Sequence, residues 1–191
     1  MARPRQRILA AATRLHATEG FAALSLRRVA RDVGVTPMAI YRHYPDKAAL
    51  VEALVQAGFA KWETRLARAV HARTPHERVE RALLAYADFA LAERRTFELM
   101  FLVPRARVPR APDSLESTPS PAFAALIGAV HEIRKGAHLL PGSPADLILF
   151  AWATAHGLIA LHASGRFGGD VKAFRQIYRK AVRQIVTALE S

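Results

Sequence analysis

Ile8, Ala12, Leu15 and His16 recur at helical spacing across residues 5–19, and Gly20 stands where a left-handed residue would end the helix. Leu26, Val29, Ala30 and Val33 repeat the i, i+3, i+4, i+7 spacing in a second, short helix. Ser25 fills its N-cap position, Leu24 is set to pack onto Val29 one turn in, and Gly34 stops it. Val35-Thr36-Pro37 starts a third helix in the same way, with Thr36 as cap and Pro37 at the first helical position, where its missing N–H costs nothing. That helix is expected to run to about His43. Pro45 breaks it, and Asp46 caps a long amphipathic helix over 46–70 with Leu50, Leu54, Ala57 and Phe59 towards one side.

Thr74-Pro75-His76-Glu77 reads as a capping box opening a helix to about Ala92, and RRTFELMFL forms a shorter one after it. Residues 103–121 hold five prolines and little apolar content, which predicts a loop with partial disorder. A helix is expected from about Pro121 to Leu140. Ser143-Pro144-Ala145-Asp146 then opens a strongly apolar helix, and Gly168-Gly169 separates it from a last helix over 170–189. The apolar run 147–163 falls short of the ~20 residues of a bilayer span, contains His156 and His162, and is better read as a buried core helix. No membrane partner is expected.

Composition narrows the fold to all-α. Hydrophobic residues make up 51%, with Ala and Leu foremost and aromatics at 8%, and helix formers therefore dominate a chain of 191 residues. The net charge of +12 predicts attraction to a polyanion, and it is unevenly placed. From Met1 to Lys47, nine basic residues face three acidic ones, so that a net +6, half the total, sits in the first quarter of the chain. The absence of cysteine excludes disulfides, thiolate nucleophiles and zinc–thiolate sites, and is compatible with a reducing cytoplasm. The Arg-rich amphipathic start has the composition of a transit peptide, yet the same residues make a good first helix.

Two short helices joined around a glycine, preceded by a longer helix and set in the most basic quarter of the chain, match a DNA-binding helix-turn-helix. Ile40 and Tyr44 would face its core, while Met38, Ala39, Arg42 and His43 would project towards a major groove. The stretch FAALSLRRVARDVGVTPMAIYRHYPDKAALV resembles the TetR-type transcriptional regulators over roughly residues 5–55, with Gly20-Phe21, Ser25-Leu26-Arg27, Gly34-Val35, Tyr41-Arg42-His43-Tyr44 and Lys47-Ala48-Ala49-Leu50 in order. Further along, Trp152 to His156-Gly157 looks like the W-x-x-x-H-G signature of one C-terminal subclass.

The resemblance implies an N-terminal helix-turn-helix domain over 1–47 and a ligand-sensing, dimerising domain over 48–191. It implies phosphate contacts from Ser25 and Arg27, base-edge and methyl contacts from Thr36, Pro37, Met38 and Ala39, backbone contacts from Tyr41 and His43, and a phosphate clamp at Lys47. Arg42 would reach a base edge or a phosphate, and Arg28 is the weakest candidate of the arginines. Phe89, Phe97, Met100, Phe101 and Trp152 read first as core and, through the family's architecture, as the lining of a cavity for a small apolar effector, with His156 as a buried histidine or polar anchor. On the last helix Val171, Phe174, Tyr178, Ala181 and Ile185 form a stripe that Ile177, Val182, Val186 and Leu189 widen, which predicts a homodimer through the last two helices. Neither an acid–base set nor metal-ligand spacing nor a Gly-rich phosphate loop is legible, so no enzyme activity, catalytic residue, metal or cofactor is expected. The rival reading is a sequence-independent binder of DNA or of anionic surfaces, for which charge alone suffices.

Overall fold

Local capping decides where the helices of this chain begin. A computed structural model describes residues 4–103, 120–134 and 142–190. They form α1 (Pro4–Glu19), α2 (Leu26–Val33), α3 (Pro37–Tyr41), α4 (Lys47–Ala69), α5 (Pro75–Ala92), α6 (Arg94–Phe101), α7 (Pro121–Ile133), α8 (Pro144–Ala163) and α9 (Val171–Glu190), with no strand among the described residues. Ser25 accepts the N–H of Arg28, Thr36 that of Ala39, and Asp46 that of Ala49, so each of these helices starts on an oxygen that satisfies an otherwise orphaned donor. Ser143 and Asp146 cap α8 reciprocally. At α5, Thr74 caps Glu77 as expected, but the Glu77 carboxylate turns to the N–H of Arg73.

One helix is shorter than expected. α3 ends at Tyr41 because the Ile40 carbonyl takes the N–H groups of both His43 and Tyr44, at 2.9 Å each, tightening the chain into a turn. α7 is capped at Arg134, and residues 135–140, expected to continue it, lie outside the described residues. So does most of the 103–121 loop.

Packing divides the chain into two units. The first holds residues 1–61 and 92–104, so α1–α3, the start of α4, and α6 share one core that includes Leu15, Val29, Ile40, Leu50 and Phe97. α6 is fastened to the end of α1 from both directions. His16 Nε2 bonds the Arg95 carbonyl at 3.0 Å, and the Arg95 guanidinium donates to the Ala17 carbonyl at 2.9 Å. The close approach of α4 to α6 is made at Gly58, where a Cβ would stand 2.6 Å from Met100 Sδ.

The second unit holds residues 62–91 and 105–191. Its core gathers Leu83, Tyr86 and Phe89 of α5, Val130 of α7, Ala155 and Ile159 of α8, and Phe174 and Tyr178 of α9. His162 lies flat on Phe174 with ring centroids 4.1 Å apart, and the Tyr178 hydroxyl donates to the Leu83 carbonyl at 2.9 Å. The stripe on α9 divides differently from the expectation. Phe174, Tyr178, Val182, Ile185 and Leu189 are buried within the chain, whereas Val171 and Ile177 are exposed. At 3.6 residues per turn, positions 174, 178, 182, 185 and 189 fall within about 80° of one another round the helix, and the terminal position of Val171 leaves it outside the core.

Candidate nucleic-acid interface

The turn between α2 and α3 is built by Gly34. With φ at +74°, it donates to the Arg31 carbonyl while the Val35 N–H reaches back to Ala30 at 3.0 Å, the paired bonds that close a helix on a left-handed residue. The chain then re-enters a helix two residues later at Thr36, and α3 packs on α2 through Ile40, which is fully buried. Tyr44, just past α3, is 2% exposed. The other side of α3 is open. Met38 is 65% and Tyr41 44% exposed, and Thr36, Pro37, Arg42 and His43 are exposed with them, while Ala39 is half-buried.

Ser25, Arg27 and Lys47 are exposed as well, so all ten residues expected to meet DNA lie in the first unit and all but Ala39 are exposed. Their side chains are not equivalent. Arg28 is engaged with Glu19 at 2.7 Å, so its charge is matched locally. The Lys47 ammonium sits 4.5 Å over the ring of Phe21. Tyr41, Arg42 and His43 supply donors at the C-terminal end of α3, and Met38 and the Pro37 ring supply an apolar front that suits thymine methyls.

Residues 8–54 match the family described as bacterial regulatory proteins of the tetR family, and residues 79–185 match the tetracyclin repressor-like C-terminal domain. The second match alone spans more than half of the chain, Trp152 to Gly157 included. This chain belongs to the TetR family. Its fold and family are those of transcriptional regulators. A protein of unknown function from Rhodococcus sp. RHA1 is 27% identical, with a TM-score of 0.75 over 100% of this chain and 97% of its own. A TetR variant from Acinetobacter baumannii AYE, solved with minocycline, shares the fold at a TM-score of 0.66 and 17% identity, covering 99% of this chain and 97% of its own. Among curated proteins, the nucleoid occlusion factor SlmA of Pasteurella multocida (strain Pm70) is 35% identical over 88 residues. That match spans less than half of either chain, 45% of this one and 44% of the relative.

The six residues expected around an effector fall in two places. Phe97, Met100 and Phe101 belong to α6 in the first unit, where Phe97 and Phe101 are 4.9 Å apart and Phe59 meets Phe101 edge-on at 5.6 Å. Phe89, Trp152 and His156 belong to the second unit. There they join two residues that sequence reasoning missed, Trp62 and Tyr86. The Trp62 ring lies 5.1 Å from Tyr86 and 5.8 Å from Phe89, and the Tyr86 hydroxyl is 2.9 Å from His156 Nδ1 and hydrogen-bonded to Trp152. Burial pushes the Tyr86 hydroxyl well above the ordinary tyrosine range and draws His156 below the ordinary histidine value. A signal for Tyr86 was present in the sequence: it precedes Phe89 by three residues and shares its helix face.

Proposed function

We propose that this protein is a ligand-responsive transcriptional regulator, acting as a repressor in the cytoplasm, that binds a pseudo-palindromic operator as a homodimer and releases it when a small, largely apolar effector binds. Residues 1–47 read DNA and residues 48–191 sense ligand and dimerise, with the helix over 46–70 connecting them. The observation that carries this reading is the outer side of α3, where Met38, Tyr41, Arg42 and His43 are exposed opposite a fully buried Ile40. A helix held this way by its inner side presents base-reading groups to a major groove. Thr36, Pro37, Met38 and Ala39 meet base edges, Ser25, Arg27, Tyr41, His43 and Lys47 hold the backbone, and Arg42 reaches either. With few hydrogen-bonding side chains at the start of α3, part of the selectivity comes from DNA shape.

Dimerisation is supported by apolar surface that the chain leaves uncovered. α8 exposes Leu149, Phe150 and Leu161 around Gly157, beside which a Cβ would meet nothing, and α9 exposes Ile177. Only 28% of the most apolar 18 residues of α8 are buried, although the helix is long and apolar enough to cross a membrane. A second copy of α8 and α9 would cover this face as a four-helix bundle. An effector is supported in the second unit by Phe89 and Trp152, with His156 as polar anchor, in the first unit by Phe97, Met100 and Phe101 of α6, and by the minocycline held by a TetR protein of the same fold.

Selection from a random duplex pool tests the operator. A palindromic site bound about 10³-fold or more tighter than its scramble is the expected outcome. No enriched motif, with both duplexes weakening alike as salt rises, would leave a sequence-independent binder.

A further inference from the structure

We infer that two cations seated on aromatic rings, Arg5 on Tyr44 and Lys47 on Phe21, grip the DNA backbone beside the C-terminal end of α3, which makes Arg5 a DNA contact and Phe21 the positioning residue for Lys47. The inference rests on the DNA-binding reading and adds to it two residues, Arg5 and Phe21, outside the set assigned above.

Lys47 opens α4 with its ammonium 4.5 Å over the Phe21 ring. Phe21 stands in the turn between α1 and α2 and is 37% exposed, so its ring is a surface seat and not a buried one. A lysine ammonium has three donors on a flexible stem, and the electron-rich face of a ring attracts it from one side. The donors on the other side stay open to water or to a phosphate oxygen. Holding the ammonium there before DNA arrives removes part of the rotamer freedom that a phosphate contact would otherwise cost.

Arg5 is held more fully. Its guanidinium carbon lies 5.5 Å over the Tyr44 ring, and the Tyr44 hydroxyl donates to the carbonyl of the same arginine at 3.4 Å. Tyr44 follows directly on Tyr41-Arg42-His43, so the arginine is placed by the residue next to the groove-facing run. Two residues on, the Arg7 guanidinium donates to the Val33 carbonyl at the end of α2, at 3.4 Å. The first turn of α1 is thereby tied to the ends of both helix-turn-helix helices. Arg5 and Lys47 are exposed, and neither takes part in an ion pair among the described residues. Arg28 differs from both, since Glu19 holds it at 2.7 Å. A cation without a carboxylate partner releases a DNA counterion in full when it meets a phosphate, and a paired one does not.

The test measures affinity against salt concentration for a selected duplex and for a random one, with wild-type protein and with Arg5→Gln, Lys47→Gln and Arg28→Gln. Arg5→Gln and Lys47→Gln are each expected to reduce the slope of log affinity against log salt by about 0.9, alike on both duplexes, and Arg28→Gln to leave it unchanged. Phe21→Leu is expected to weaken binding roughly two- to fivefold when Lys47 is present and not at all in a Lys47→Gln background, and Phe21→Trp to restore it. An unchanged slope for Arg5→Gln or Lys47→Gln overturns the inference. So does an equal loss from Phe21→Leu in both backgrounds, which would mark the ring as packing only. Phosphate contacts are read on the random duplex too, so a lack of preference for the selected duplex sinks the operator reading while the slopes still decide this one. Failure to bind either duplex overturns both.

Discussion

The indole nitrogen of Trp152 can only donate a hydrogen bond, and this orders the protons of its neighbours. The Tyr86 hydroxyl accepts from it and lies 2.9 Å from His156 Nδ1, to which it can donate its own proton when His156 is neutral with its proton on Nε2. Burial favours the same neutral form. Because the folded state depresses the affinity of His156 for a proton, this contribution to stability is complete above the ordinary histidine value of 6.5 and is lost as the pH falls below it. Thermal unfolding at about pH 7.5 and about pH 5.5 should therefore show a loss of stability at the lower pH that shrinks in His156→Gln. An equal loss in both proteins would remove His156 as the cause. Gly34 offers a second test at this scale. A Cβ there would meet nothing within 4 Å, so Gly34→Ala isolates the cost of an L side chain at φ +74°. We expect about 1–2 kcal/mol of destabilisation by denaturant titration, with Gly34→Asn costing less. That glycine was legible in the sequence because turn chemistry is local; the Tyr86–His156 bond joins residues 70 positions apart and was not.

Among the elements, α6 shows how tertiary packing overrides position in the chain. It follows α5 after a single residue, yet it packs with α1 and the start of α4. The crossing depends on Gly58. Alanine there would gain about 1 kcal/mol of helix propensity but would drive a methyl to 2.6 Å from Met100 Sδ and 3.0 Å from Thr96 Cγ2. Met100 is buried, so its thioether has to repack within the core to admit the methyl; we expect Gly58→Ala to destabilise by about 1–2 kcal/mol net, and a neutral or stabilising result by chemical denaturation would show that Met100 or α6 shifts freely. On α9, Tyr178→Phe should cost about 1 kcal/mol through the lost bond to the Leu83 carbonyl, a bond that fixes α9 on α5. The apolar stripe of α9 was visible as a whole. Its division into a covered and an open part was not, because periodicity shows which residues share a face and says nothing of what lies opposite.

For the molecule as a whole, the proposed dimer makes the sharpest demand. Phe150, 47% exposed on α8, lies on the face that a second copy would cover, so Phe150→Asp should give a folded monomer by light scattering at micromolar concentration and should lose the preference for a palindrome. A variant that stays dimeric would place the interface elsewhere. By itself the sequence determined the helical class, the capped starts of α2, α3, α4 and α8, the helix-turn-helix and its exposed residues, since caps, turn glycines and apolar periods act within a few residues. Only the tertiary structure decided that α6 joins the first unit, that Arg28 is matched by Glu19, and that Trp62 and Tyr86 complete the cluster around His156. It also seated Lys47 on Phe21 and Arg5 on Tyr44, partners 26 and 39 residues apart along the chain. Those pairings join residues far apart in the chain, and no spacing along a helix encodes a contact whose geometry exists only after the helices have packed.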